Sequence, residues 1–133
     1  MAKKRILIID DEKDFCRMVK FNLERTKNYE VLFATDGRSG MEIARKQSPD
    51  LILLDIRMPG MSGGEIAEEL LDDPSTCKIP IIFLTALVKK DEVARQSGYI
   101  SGRPFIAKPV TAQDLIKRIE EEIRSANSKQ LSA

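Results

Sequence analysis

Asp10-Asp11, Asp55, Thr85 and Lys108 close four apolar runs that are spread over most of the chain. Their types suit one another. Carboxylates gathered in one place repel, and at least one pKa rises unless a cation joins them. A hard divalent ion with oxygen ligands relieves that repulsion. Mg2+ prefers octahedral geometry, keeps several waters, and takes one or two carboxylates together with a phosphate. A carboxylate is also a competent nucleophile toward phosphoryl groups, giving an aspartyl phosphate. Such transfer is mostly positioning and neutralisation of charge. Lys108 offers a point charge for it, and Thr85 a hydroxyl donor. The central member sits in the stretch LILLDIRMPG, residues 51–60. Four apolar residues there end in Asp55, and an ionised carboxylate is costly to bury without compensation.

For these residues to meet, the runs that end in them must lie side by side. The runs are Arg5–Ile9, Glu30–Ala34, Leu51–Leu54, Pro80–Leu84 and Pro104–Ala107. Several are continuous rather than alternating, as in strands covered on both faces. Helical patterns separate them. Phe15, Met18, Val19, Asn22 and Leu23 recur at helical spacing, with only Asn22 polar. Gly40–Gln47 carries Met41 and Ala44, and Gly64–Leu71 carries Ile66, Ala67, Leu70 and Leu71. Lys89–Ser97 is a weaker pattern. In Thr111–Ala126, Thr111 to Asp114 resembles a capping box, and Ala112, Leu115, Ile116, Ile119 and Ile123 make one face.

Five βα units in succession predict an α/β fold: a doubly wound parallel sheet with helices on both faces and right-handed crossovers. Ligands of such sheets bind outside the carboxyl ends of the strands. Four of the five runs place polar residues there; the second ends in Thr35-Asp36-Gly37, a turn. One domain over residues 1–126 is expected, followed by a short polar tail, residues 127–133, that frays.

Composition narrows the function. Lys and Arg number 22 against 21 Asp and Glu, a net charge of +1. That balance gives no electrostatic argument for direct binding of nucleic acid or of an anionic membrane. No apolar run is long enough to span a bilayer. The apolar run Ile6–Ile9 passes straight into Asp10-Asp11-Glu12, which argues against a secretory signal. The expectation is a cytoplasmic protein. Cys16 and Cys77 lack metal-site spacing and read as two reduced thiols. The chain has no histidine, which excludes His-based acid/base chemistry, His metal ligands and a phosphohistidine of its own.

Taken together and in order, Asp10-Asp11, LLDIRMPGMSG, IIFLTA and FIAKP resemble the receiver domain of two-component response regulators, over roughly residues 4 to 124. What the resemblance implies is a flavodoxin-like fold with strand order 2-1-3-4-5 and five helices, as in chemotaxis-type single-domain receivers. It implies Asp55 as phosphoacceptor. It implies Mg2+ held by Asp10, Asp11, Asp55 and the backbone carbonyl of Arg57. Thr85, the backbone amide of Ala86 and Lys108 would bind the phosphoryl oxygens, and Thr85 and Phe105 would form the switch. Lys108-Pro109 would be a cis peptide. The partners implied are a sensor histidine kinase or phosphotransfer protein as donor, and a downstream protein at the face of the fourth helix, fifth strand and fifth helix. The chain would be a monomer or weak dimer, and a switch rather than a turnover enzyme. The end at Ala133 without a linker favours a receiver that stands alone.

Three features depart from the family's usual pattern. Phe105 stands where the family often carries Tyr, and a phenyl ring donates no hydrogen bond. Leu87, like Arg57, matches a position that tunes access of water to the phosphoryl group, and Leu87 offers water no polar handle, so a phosphoryl group longer-lived than in fast chemotaxis receivers is expected. Two glycines bracket Tyr99-Ile100 in the stretch from Ser97 to Pro104, which predicts a short or frayed fourth helix. Two other readings compete. A phosphatase of the haloacid-dehalogenase kind wants its nucleophile after the first strand and a second Asp two positions on, but Asp10 is followed by Asp11 and Glu12. A nonphosphorylated interaction module would have no need of all five polar residues. A flavin site fails because carboxylates, not a phosphate-cradling loop, follow the first run.

Overall fold

The computed structural model describes residues 3–86, 99–100 and 103–132. Strands β1 (Lys4–Ile9), β2 (Tyr29–Ala34), β3 (Leu51–Asp55) and β4 (Ile81–Thr85) alternate with helices α1 (Lys13–Arg25), α2 (Gly37–Gln47) and α3 (Gly63–Asp72). Then come β5 (Tyr99–Ile100), β6 (Arg103–Ala107) and α4 (Ala112–Ser132). The sheet runs β2-β1-β3-β4-β6-β5. Its first five members are parallel, with Ile9 beside both Ala34 and Leu54, Asp55 beside Leu84, and Thr85 beside Ala107. This is the 2-1-3-4-5 order expected, with the last parallel strand being β6.

The continuous apolar runs are explained by two cores, one on each face. Ile6, Ile8, Leu51, Leu53, Ile82 and Leu84 pack with Cys16, Val19 and Leu23 of α1 and Leu115 and Ile119 of α4. Leu7, Ile9, Ile52, Leu54, Phe83 and Phe105 pack with Met41 and Ala44 of α2 and Ile66, Ala67 and Leu70 of α3. Successive strand residues point to opposite faces, so a strand between two helical layers must be apolar at every position. All five residues of β3 are buried, Asp55 included.

Four findings depart from the sequence reading. The sheet gains a sixth strand: Tyr99 and Ile100 pair antiparallel with Pro104 and Arg103. A Tyr-Ile pair set between glycines has the strand preference of an aromatic beside a β-branched residue. Four helices, not five, occur among the described residues, and the pattern at Lys89–Ser97 lies outside them. The buried stripe of α1 is Cys16, Val19 and Leu23, while Met18 is 43% exposed. Helix α4 runs on to Ser132, past the expected start of the polar tail; residues 127–132 contain neither Gly nor Pro to stop it.

Candidate functional site

Asp10 follows β1 and is held to the sheet by its N–H, which donates to the Ala34 carbonyl at 3.1 Å. Asp55 ends β3, and the next N–H, that of Ile56, donates to the Leu84 carbonyl at 3.0 Å. Adjacent parallel strands thus deliver both carboxylates to one edge. Asp10 is fully buried, Asp55 is 6% exposed, and Asp11 is exposed. Each of the three offers an oxygen within 4.8 Å of the others.

Lys108 closes the site from β6. Its N–H donates to the Thr85 carbonyl at 2.8 Å, tying the two residues together through the main chain, and Lys108-Pro109 is cis. The ammonium donates to Asp10 Oδ2 at 2.6 Å and to Glu12 Oε1 at 3.0 Å, and it lies 4.0 Å from Asp55 Oδ2. Its Nζ also stands 4.4 Å from the centre of the Phe15 ring. Burial works against the Lys108 charge, but the hydrogen bonds to Asp10 and Glu12 outweigh it and raise its pKa.

Asp55 carries the electrostatic deficit. Burial, and after it the charge of Asp10, push its carboxyl up to about 6, against the Arg57 N–H donated to Oδ1 at 3.2 Å and the more distant Lys108. The same surroundings disable Cys16. Burial first and Asp10 second push its thiol up to about 12, and the thiol donates to the Asp10 carbonyl at 3.4 Å.

Thr85 is 6% exposed at the end of β4, with Ala86 exposed beyond it. Arg57 is exposed after β3. Phe105 is buried at 3%, beside Phe83 in the register and inside the α2/α3 core. Leu87 lies outside the described residues. The structure therefore brings Asp10, Asp11, Asp55 and Lys108 together, with Thr85 joined to Lys108 through the backbone.

The loop after Asp55 returns into α3 at close quarters. A Cβ on Gly63 would strike the Asp55 carbonyl oxygen and come within 2.8 Å of Ile56 Cα, so only glycine fits. The Gly63 N–H donates to the Ile56 carbonyl at 2.9 Å. Ser62 and Glu65 cap the helix reciprocally. Gly60, at φ +86°, supplies the left-handed turn before it. The sequence reading missed five of these contributors. Glu12 is an ordinary acid at a helix start, and the spacing of Phe15 marks it only as part of the apolar stripe of α1. Gly63 is one glycine among seven. Ser62 and Glu65 at capping-box spacing were readable.

Comparison with known proteins agrees with this fold. Response regulator PleD of Caulobacter vibrioides is 37% identical over 121 residues, which cover 90% of this chain and 26% of PleD. The chain thus spans about a quarter of that relative's length. A CheY-like response regulator receiver domain protein from Methanospirillum hungatei superposes with a TM-score of 0.80 at 27% identity, over 96% of this chain and 99% of that one. Chemotaxis protein CheY4 of Vibrio cholerae gives 0.78 at 26% identity, over 91% and 99%. Residues 6–120 match the family described as the response regulator receiver domain. On the strength of that match, over a parallel sheet whose carboxyl edge gathers three aspartates and a lysine, the chain belongs to the response regulator receiver domain family.

Proposed function

We propose that this chain is a phosphorylatable switch of a two-component phosphorelay, with Asp55 as acceptor. The observation that carries the reading is the carboxylate cluster: Asp10, Asp11 and Asp55 within 4.8 Å, two of them buried, with Lys108 drawn in against them. Three hard oxygen donors with one exposed member suit Mg2+, which leaves room for water and a phosphoryl oxygen. Asp10, Asp11, Asp55 and the Arg57 carbonyl would hold it. Bound there, the cation would neutralise the acids and the incoming phosphoryl charge.

The chain's own residues do the rest. Asp55 attacks phosphorus, the bond to the donor's imidazole nitrogen breaks, and the imidazole leaves with the electron pair and takes up a proton. The donor is a histidine kinase or phosphotransfer protein, since this chain has no histidine. Lys108, Thr85 and the Ala86 amide receive the phosphoryl oxygens. Thr85 and Phe105 relay the change to a downstream protein at the face around the fifth parallel strand. The phosphoryl group is expected to be long-lived because Leu87 offers water no polar handle. The chain acts as a cytoplasmic switch rather than a turnover enzyme, as a monomer or weak dimer, without direct contact to nucleic acid or membrane. No described helix is long and apolar enough to cross a membrane.

Acetyl phosphate with Mg2+, followed by intact mass and peptide mapping beside Asp55→Asn, tests the reading. One phosphoryl adduct on Asp55, absent in the variant and without Mg2+, is expected. No adduct would leave an interaction module that is not switched by phosphorylation. An adduct on Asp10 instead would point to dehalogenase-type chemistry.

A further inference from the structure

Lys108 is seated away from the acceptor it is meant to serve. An ammonium has three protons to donate. Two go to Asp10 and Glu12, at 2.6 and 3.0 Å, and the group stands against the Phe15 ring. Asp55 Oδ2, at 4.0 Å, is beyond hydrogen-bond reach. The Lys108 side chain is only 9% exposed, so water does not readily replace a partner it gives up.

Its two carboxylate partners differ in kind. Asp10 belongs to the three-acid cluster, and a cation there would draw on its charge. Glu12 is not a member of the cluster, so its hold on Lys108 survives. Its position is set by the site itself: the Glu12 N–H donates to Asp10 Oδ1 at 2.9 Å. Its side chain is 63% exposed and free to swing into water when released.

We infer that Glu12 is a positioning residue, a latch that holds Lys108 over the start of α1 and sets how readily the phosphoryl-bound state forms. The inference rests on the receiver reading and adds a residue to it. Glu12 touches no reacting atom; it acts through Lys108. Cutting the latch makes Lys108 easier to recruit. Because Glu12 is largely exposed, the effect is modest, roughly two- to fivefold in affinity for a phosphoryl mimic.

The test uses beryllofluoride, titrated into the full chain at saturating Mg2+ and followed by 19F NMR, with Mg2+ affinity measured separately by calorimetry. Glu12→Gln removes the charge, and Glu12→Asp keeps it but is one methylene too short to reach Lys108. The latch predicts tighter beryllofluoride binding in both variants. It also predicts near wild-type Mg2+ affinity in Glu12→Asp. Tighter binding in Glu12→Gln alone would mean bulk charge, and no change in either variant would mean an idle surface pair; each outcome overturns the latch and leaves the receiver reading standing. Failure of the wild type to bind beryllofluoride, or equal binding by Asp55→Asn, would overturn the receiver reading and the latch with it.

Discussion

Asp55 and Asp36 are the same side chain in opposite circumstances. At the sheet edge Asp55 is buried beside Asp10, and its carboxyl is pushed up to about 6, by burial first and Asp10 second. At the start of α2, Asp36 lies in water and accepts from the Ser39 N–H and hydroxyl, both at 2.9 Å, which lower its pKa. Asp73 behaves like Asp36, lowered by the Ser75 hydroxyl and N–H and by Arg45. At these two positions the fold supplies the aspartate with donors of its own. At the sheet edge it gathers acids faster than it supplies cations. Ionising Asp55 at this edge therefore costs the folded state stability, where ionising Asp36 or Asp73 adds to it.

Substitution can break this contrast or sharpen it. The largest effect is expected at the scaffold. Gly63→Ala should destabilise the chain by about 3 kcal/mol in urea unfolding, because the new methyl meets main chain that cannot turn away. Gly64→Ala, which has only the Ser62 hydroxyl at 3.8 Å, is the control and should do little.

Next is Asp55. In metal-free protein, Asp55→Asn should stabilise at pH 7 by up to about 3 kcal/mol, from a folded value near 6 against the ordinary 3.8. The sign follows from linkage. Between those values the folded state holds the extra proton, so wild-type stability falls as pH rises through the window. Saturating Mg2+ should shrink or reverse the gain. An Asn variant that is less stable than wild type in EDTA would dissolve the contrast.

Asp36→Ala should act in the other direction and more weakly, lowering Tm by a few degrees at neutral pH. A lowered carboxyl pKa contributes stability above the ordinary value and loses it as pH falls through the folded value. The difference between wild type and Asp36→Ala should therefore vanish in acid, whereas that between wild type and Asp55→Asn should vanish there for the opposite reason.

The smallest structural perturbation is a label. Native thiol trapping at pH 7.5 should modify the half-buried Cys77 well before Cys16, whose thiol is pushed up to about 12. Faster labelling of Cys16 would mean that the acidic edge opens more readily than its burial suggests.

Much of this site could be read from residue order alone because its members close apolar runs, and parallel strands bring run ends together. Asp10, Asp55, Thr85 and Lys108 were found that way. Glu12 escaped because an acid at a helix start is ordinary, and only the fold places Lys108 beside it. On α1 the periodicity places Phe15, Val19 and Leu23 correctly on the core face but includes the exposed Met18 and omits Cys16, since it fixes a face only to within a residue at its edges. Tyr99–Ile100 was read as helix trouble. A two-residue strand is too short for alternation to register, and its partner had to be known first.

The bend after Asp55 is pinned by main chain at both ends, Ile56 N–H to the Leu84 carbonyl and Gly63 N–H to the Ile56 carbonyl. Neither tie depends on which side chains lie between. Within the bend, Gly60 must keep its left-handed turn and Met58 and Met61 pack against the α2/α3 core, which leaves the exposed Arg57 and Pro59 open to exchange. A library randomised at Arg57 and Pro59 alone should keep its fold in most clones while changing the surface beside Asp55. For an engineer, the surface beside Asp55 can be rewritten at two positions without touching the main chain that holds Asp55 still.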